Sequence, residues 1–225
     1  LADAIDERDP TTYHHSARVS EYAVALAESM EVDDALVDLV RTAARVHDLG
    51  KMGVTDAVLM KPARLDDDER RRMREHPEIG ARILGRYGLY KDGVELVRAH
   101  HERWDGTGYP RGLAGDRIPL GARIIAVADG FDAMTSDRPY RAGMHPLIAL
   151  EELRRGAGGQ WDPVIVGHFV RLLTDPLANL PDAPAVRRLH EPIPRPVLVD
   201  LALGAAGGPM AGGPRVIGPA AAEAS

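Results

Sequence analysis

Apolar residues recur at helical spacing along most of the first 174 positions, and several of the resulting stripes end on an ionisable side chain. Followed back from Leu26 through Tyr22 and Val19, one stripe arrives at His15. Another runs forward from Leu36 through Val40 and Ala43 to His47, with Asp48 beside it. A third passes from Val94 and Val97 to His101, next to His100, and one turn beyond Ile125 stands Asp129. Residues three, four and seven apart share one face of a helix, so these groups occupy positions that would otherwise face a core. An ionisable side chain there needs a partner that offsets its desolvation. One such histidine is satisfied by a hydrogen bond, and one such aspartate by a cap or an ion pair. Several of them on separate helices point to a single shared partner, a metal site. His14, His145, His168 and His190 lack this placement and read as surface or capping residues.

The patterning predicts an all-α chain. A first helix is expected over about 12–30, and a second from the Asp33-Asp34 cap to near Gly50. Leu65, Asp66 and Glu69 form a staple and capping box that opens a third. His76 precedes Pro77, which disfavours helical geometry at 76, so a break is expected there with Pro77 opening a helix to about Arg86. Asp92 is expected to cap the helix that carries His100 and His101. The Gly- and Pro-rich stretch 105–117 reads as a structured loop, after which Pro119 opens the helix of Asp129. Further helices are expected near 146–155 and 163–174, and strand signals are weak throughout. From Asp175 prolines recur, and glycine and alanine dominate after Leu203. Such a segment cannot bury enough apolar surface to offset its ordering entropy. One domain over 1–174 with a mostly disordered Pro/Gly/Ala-rich tail over 175–225 is the expected organisation.

Composition narrows the function classes. A hydrophobic share of 44% against 28% charged suits a soluble globular domain. Cysteine is absent, which excludes disulfides and thiolate metal ligands, removes zinc sites of the finger type, and fits a reducing cytoplasm. No apolar run is long enough to span a bilayer, and the acidic start does not resemble a signal peptide. A net charge of -6 without a basic stripe argues against a nucleic-acid polymer as partner. Arg70, Arg71, Arg72 and Arg74 alternate with acids and read as a solvated helix face. Opening on Leu1, the chain is expected to be cut from a longer protein, with an upstream sensor or receiver domain missing.

Motifs carry the reading further. In order they are His15-Ser16-Ala17-Arg18-Val19, Ala43 to Lys51 with His47-Asp48 inside it, Lys61-Pro62, Glu75-His76-Pro77, His100-His101 through Gly108-Tyr109-Pro110, Ile124 to Asp132, and Ser136 to Arg141. A His-Asp pair alone is weak evidence, but this ordered series is specific. The chain resembles the HD-GYP family over about residues 10–172. These are all-helical bacterial phosphodiesterases of cyclic di-GMP, within the wider HD superfamily of metal-dependent phosphohydrolases.

The resemblance implies an HD-domain helical bundle and a di-metal centre held by His15, His47, Asp48, His76, His100, His101 and Asp129, with Asp48 bridging. Two cations roughly 3.5 to 4 Å apart can activate a shared water and clamp the oxygens of an in-line phosphoryl displacement. Imidazoles and carboxylates without sulfur suit iron first and manganese next. Lys51, which composition alone would read as a cation near a helix end, is implied to face the scissile phosphate beside catalytic Asp48. Arg138 and Arg141 are implied to hold substrate phosphate or guanine, a role that suits the planar guanidinium fork. Gly108-Tyr109-Pro110 is implied to dock a diguanylate cyclase domain. Some members carry a Glu for a third metal where this chain has Thr11, so a two-metal centre is expected; Gly53-Val54-Thr55 and Ala63 also depart from the family pattern. The expected activity is hydrolysis of cyclic di-GMP to linear pGpG, with slow further cleavage to GMP. The alternatives are another cyclic dinucleotide or phosphoester as substrate, or a non-catalytic signalling module that binds a cyclase domain.

Overall fold

A computed structural model of the protein describes residues 14–86, 88–137 and 142–175. Nine α-helices are found among them: α1 His15–Ser29, α2 Asp34–Val46, α3 Asp56–Leu59, α4 Asp67–Met73, α5 His76–Leu84, α6 Val94–Ala99, α7 Leu120–Thr135, α8 Pro146–Gly156 and α9 Pro163–Thr174. Short 3-10 turns occupy Leu49–Gly53, Gly88–Gly93 and Gly115–Arg117. Among the described residues there is no strand, only an isolated bridge between Ala157 and Trp161. The expected all-α class is the observed one. The expected tail, except Asp175, lies outside the described residues, as do Thr11 and His190.

Caps fix several starts. Asp33 accepts from the Leu36 amide, Asp66 and Glu69 close a reciprocal capping box, and Asp162 accepts from the Val164 and Ile165 amides. Each satisfies helix-start donors that have no partner within the helix. His145 does the same for α8 by accepting from the Leu147 amide, the capping role expected of it.

Three expectations need correction. The helix expected to carry His100 and His101 ends at Ala99, and the two histidines follow it in a turn. The second helix stops at Val46, short of Gly50, because the chain tightens after His47 into i→i+3 turns such as Lys51 N to Asp48 O at 2.9 Å. Asp92 does not cap α6; Gly93 stands at the cap without a side-chain hydrogen bond, since a 3-10 turn runs directly into that short helix.

Helix α7 is the axis of the bundle, packed by α1, α2, α6, α8 and α9. Its buried positions include Ala122, Ile124, Ile125, Val127, Ala128 and Phe131. Tyr22 of α1, Phe131 of α7 and Phe169 of α9 meet edge to face, with ring centroids 5.1–6.2 Å apart. Such contacts tie three helices together with a directional preference that aliphatic packing lacks. Asp129 lies two residues before Phe131, so the core that fixes this segment also fixes the carboxylate.

Candidate metal centre

Each clustered histidine sits at or just beyond a helix end. His15 opens α1, His47 and Asp48 follow α2, His76 opens α5, and His100 and His101 follow α6. The last carbonyls of a helix have no partner within it. Three of these histidines use such a carbonyl three residues back: Nδ1 of His47 lies 2.7 Å from Ala44 O, that of His76 2.8 Å from Met73 O, and that of His100 2.6 Å from Val97 O. A carbonyl only accepts, so each Nδ1 carries the proton and each Nε2 presents its lone pair inward.

The inward atoms fall into two groups. Asp48, His76, His100 and His101 form one, and His15, His47 and Asp129 the other, with the atoms of each within 4.8 Å of one another. Asp48 faces both. Its Oδ1 lies 3.3 Å from His76 Nε2, while its Oδ2 lies 3.4 Å from His47 Nε2 and 4.0 Å from His15 Nε2. The close approach of the two halves depends on Gly50, where a Cβ would fall 1.7 Å from the His76 carbonyl oxygen.

Two observations test whether a cation fits. His47 Nε2 is buried without a hydrogen-bond partner, Asp48 being near but out of line. His76 Nε2 and His100 Nε2 face each other at 3.4 Å with a lone pair on each. Buried acceptors aimed at one another are costly unless a cation lies between them. The residues therefore fit a pair of divalent ions.

Charge divides the halves. Burial lowers the His15 pKa, but hydrogen bonds and charge from Asp129 and Asp132 outweigh it and raise the group to about 10. His47 is likewise raised against its burial by Asp48. In the other half, burial and the neighbouring imidazoles of His47 and His76 push His100 down to about 3, and burial holds His101 well below its ordinary value. Burial alone would raise Asp48, yet Lys51 and His47 hold it well below the usual carboxylate range. The Lys51 ammonium is itself buried, 3% exposed, with Nζ 2.9 Å from Asp48 Oδ2. A helix-end cation would be solvated; this one is inside the site.

Some contributors were missed in the sequence. Asp132 Oδ2 lies 2.7 Å from His15 Nδ1, and Arg18 donates to both Asp132 oxygens at 2.6 and 2.9 Å. A carboxylate on the outer nitrogen of a ligand histidine fixes its orientation. The available signal was spacing, for Asp132 lies one turn after Asp129 and Arg18 one turn after His15. Buried Glu102 accepts from the Arg111 and Leu113 amides and folds the 103–113 loop back on itself. Gly108 is required there, because a Cβ would lie 2.3 Å from Arg103 N. Tyr109 stacks on the His101 ring, and Arg74 stands over Tyr109, unlike Arg70 and Arg71, which pair with Asp67 and Asp68 on the exposed face. Pro110 is exposed. Arg138 and Arg141 lie outside the described residues.

The family described as HD domain matches residues 1–165. The chain belongs to it. Within that family it is an HD-GYP protein, with His47-Asp48 and Gly108-Tyr109-Pro110 in sequence order. A cyclic di-GMP phosphodiesterase of Thermotoga maritima is 41% identical over 167 residues, covering 73% of this chain and 45% of that protein. A 3'3'-cGAMP-specific phosphodiesterase of Vibrio cholerae is 39% identical over 180 residues, 79% of this chain and 39% of the relative. The HD-GYP chain thus spans less than half the length of these relatives. A solved HD-GYP protein of Bdellovibrio bacteriovorus superposes with a TM-score of 0.58 at 21% identity, over 73% of this chain and 53% of that one, and shares the fold.

Proposed function

We propose that this chain is the catalytic part of a metal-dependent phosphodiesterase that hydrolyses cyclic di-GMP to linear pGpG, with slow further cleavage to GMP. The observation that carries the reading is Asp48, whose two oxygens each face one ligand group while Lys51 lies against one of them. His15, His47 and Asp129 would hold one ion, His76, His100 and His101 the other, and Asp48 both. Iron is the first assignment and manganese the second, on the strength of a nitrogen and oxygen donor set without sulfur.

Bound divalent ions would supply a nucleophile from water at neutral pH and polarise the phosphoryl oxygens. The protein's own groups do the rest. Lys51 offers a fixed charge, already desolvated, to the phosphate as negative charge develops on it. Asp48 holds Lys51 in place. Asp132 and Arg18 keep the His15 ring aligned. Arg138 and Arg141 would bind the second phosphate or a guanine edge. One water adds across each P–O bond cleaved, leaving a 5′-phosphate and a free 3′-hydroxyl. The Gly108-Tyr109-Pro110 loop, with Pro110 exposed, would serve a diguanylate cyclase domain as docking surface.

A second reading has support in the Vibrio cholerae relative named for 3'3'-cGAMP, since a di-metal centre does not choose the base. Product chromatography with each dinucleotide separates the two. The proposal expects cyclic di-GMP to be cleaved faster, with pGpG accumulating; faster cleavage of 3'3'-cGAMP would favour the second reading. A fully metal-loaded protein that cleaves neither would be a non-catalytic module.

A further inference from the structure

Among the clustered histidines, four have the ring nitrogen that points away from the ligand group fixed by a hydrogen bond: His15 by Asp132, His47 by Ala44 O, His76 by Met73 O and His100 by Val97 O. His101 differs. Among the described residues no hydrogen bond holds its ring, although its Nε2 or Nδ1 belongs to the same ligand group as Asp48, His76 and His100. Ring contacts hold it instead. Tyr109 is stacked on it with centroids 4.9 Å apart and planes 28° from parallel, while His76 meets it edge-on at 4.9 Å.

Tyr109 is in turn well placed to hold a neighbour still. Its amide donates to the His101 carbonyl at 3.2 Å, so one residue grips both the backbone and the ring of His101. Gly108 before it packs directly on Glu102 and Arg103, and the Glu102 carboxylate ties down Arg111 and Leu113 beyond it. The guanidinium carbon of Arg74 lies 5.3 Å from the centre of the Tyr109 ring, where a cation is attracted by the ring electrons. Arg74 is two residues before His76. Tyr109 therefore lies between the two chain segments that deliver His76 and His101 to one ligand group.

We propose that Tyr109 is a positioning residue for His101, its stacked ring doing for this ligand what a carbonyl or carboxylate does for the others. This rests on reading the cluster as a two-ion centre. Loss of an outer partner of a metal ligand typically weakens metal affinity about 10–100-fold. The effect belongs to the ion held by Asp48, His76, His100 and His101, and leaves the other ion in place.

The test is a Mn²⁺ titration with chelator competition on the wild type and on the Tyr109→Phe, Tyr109→Leu and Arg74→Met variants, without substrate. Tyr109→Phe keeps the stacked ring and should bind both ions as the wild type does. Tyr109→Leu should bind one ion normally and the other about 10–100-fold more weakly. Arg74→Met, which removes the cation above the ring, should weaken the same ion severalfold, and it decides the matter alone if the Leu variant does not fold. Wild-type affinity for both ions in the folded Leu and Met variants would overturn the proposal, as would a Phe variant as weak as Leu. A wild type that binds no pair of ions would instead remove the two-ion reading on which the proposal rests.

Discussion

At the scale of single residues, Asp48 and Lys51 combine two demands that usually conflict. A buried carboxylate and a buried ammonium each lose hydration, and pairing at 2.9 Å offsets part of that loss. The pair fixes the Lys51 ammonium inside the site. Lys51→Ala should therefore lower kcat about a hundredfold while metal content stays near that of the wild type. An unchanged rate would return Lys51 to a structural role. His15 gives a pH prediction. In the metal-free protein it keeps a proton up to about pH 10, which an entering ion must displace. Below that pH the metal-free state holds a proton the loaded state lacks, so affinity at the His15, His47 and Asp129 group falls as pH falls. His100, lowered to about 3, is already unprotonated at neutral pH, and its group should show a flatter dependence. Chelator competition near neutrality and about two pH units below it would measure both slopes, and equal slopes would contradict the division. Placement of His15, His47, His101 and Asp129 on apolar faces was legible in the sequence. The roles of Asp132 and Arg18 were not, because their one-turn spacing from Asp129 and His15 places them near the site without showing that they pair with each other across two helices.

Among the secondary elements, the helix ends do the positioning. Ala44, Met73 and Val97 each lie in the last turn of a helix, and their carbonyls turn the following histidine inward. The caps at Asp33, Asp66 and Asp162 could be read from local chemistry because each satisfies its own helix start. The 3-10 turn over Leu49–Gly53 could not. Its geometry answers to the contact with α5, and a turn of five residues carries too little pattern to announce itself. Asp92 failed as a cap for a similar reason, since the preceding turn already delivers the chain to α6. Gly50 marks the tightest contact between elements. Gly50→Ala should push the turn away from α5, destabilise the fold by on the order of 1–3 kcal/mol, and lower metal affinity by separating Asp48 from His76. Thermal unfolding with a parallel metal count would check this. A variant matching the wild type in both would show that the backbones have room to spare.

For the whole molecule, the ligand set is drawn from segments between residues 15 and 129, and only the fold brings them together. The motif order implied the set through resemblance to a family. The resemblance also implied that Asp48 bridges, but not which of the other ligands share a group, or that Tyr109 reaches His101 from the family's naming loop. Those facts depend on α7 standing at the centre of the bundle, with Asp129 one turn before Asp132, α1, α2 and α6 packed against it, and α5 packed against α6 and the Leu49–Gly53 turn. Among the described residues no helix is long and apolar enough to cross a membrane. The proposed function requires a pair of ions that Asp48 would hold between them. Metal analysis of anaerobically purified wild type and Asp48→Ala, with cyclic di-GMP hydrolysis followed on the same samples, tests it most directly. Two iron or manganese ions per wild-type chain are expected. The variant should lose at least one ion, and hydrolysis with it. An Asp48→Ala protein that keeps both ions and its turnover, or a wild type fully active with a single ion, would contradict it.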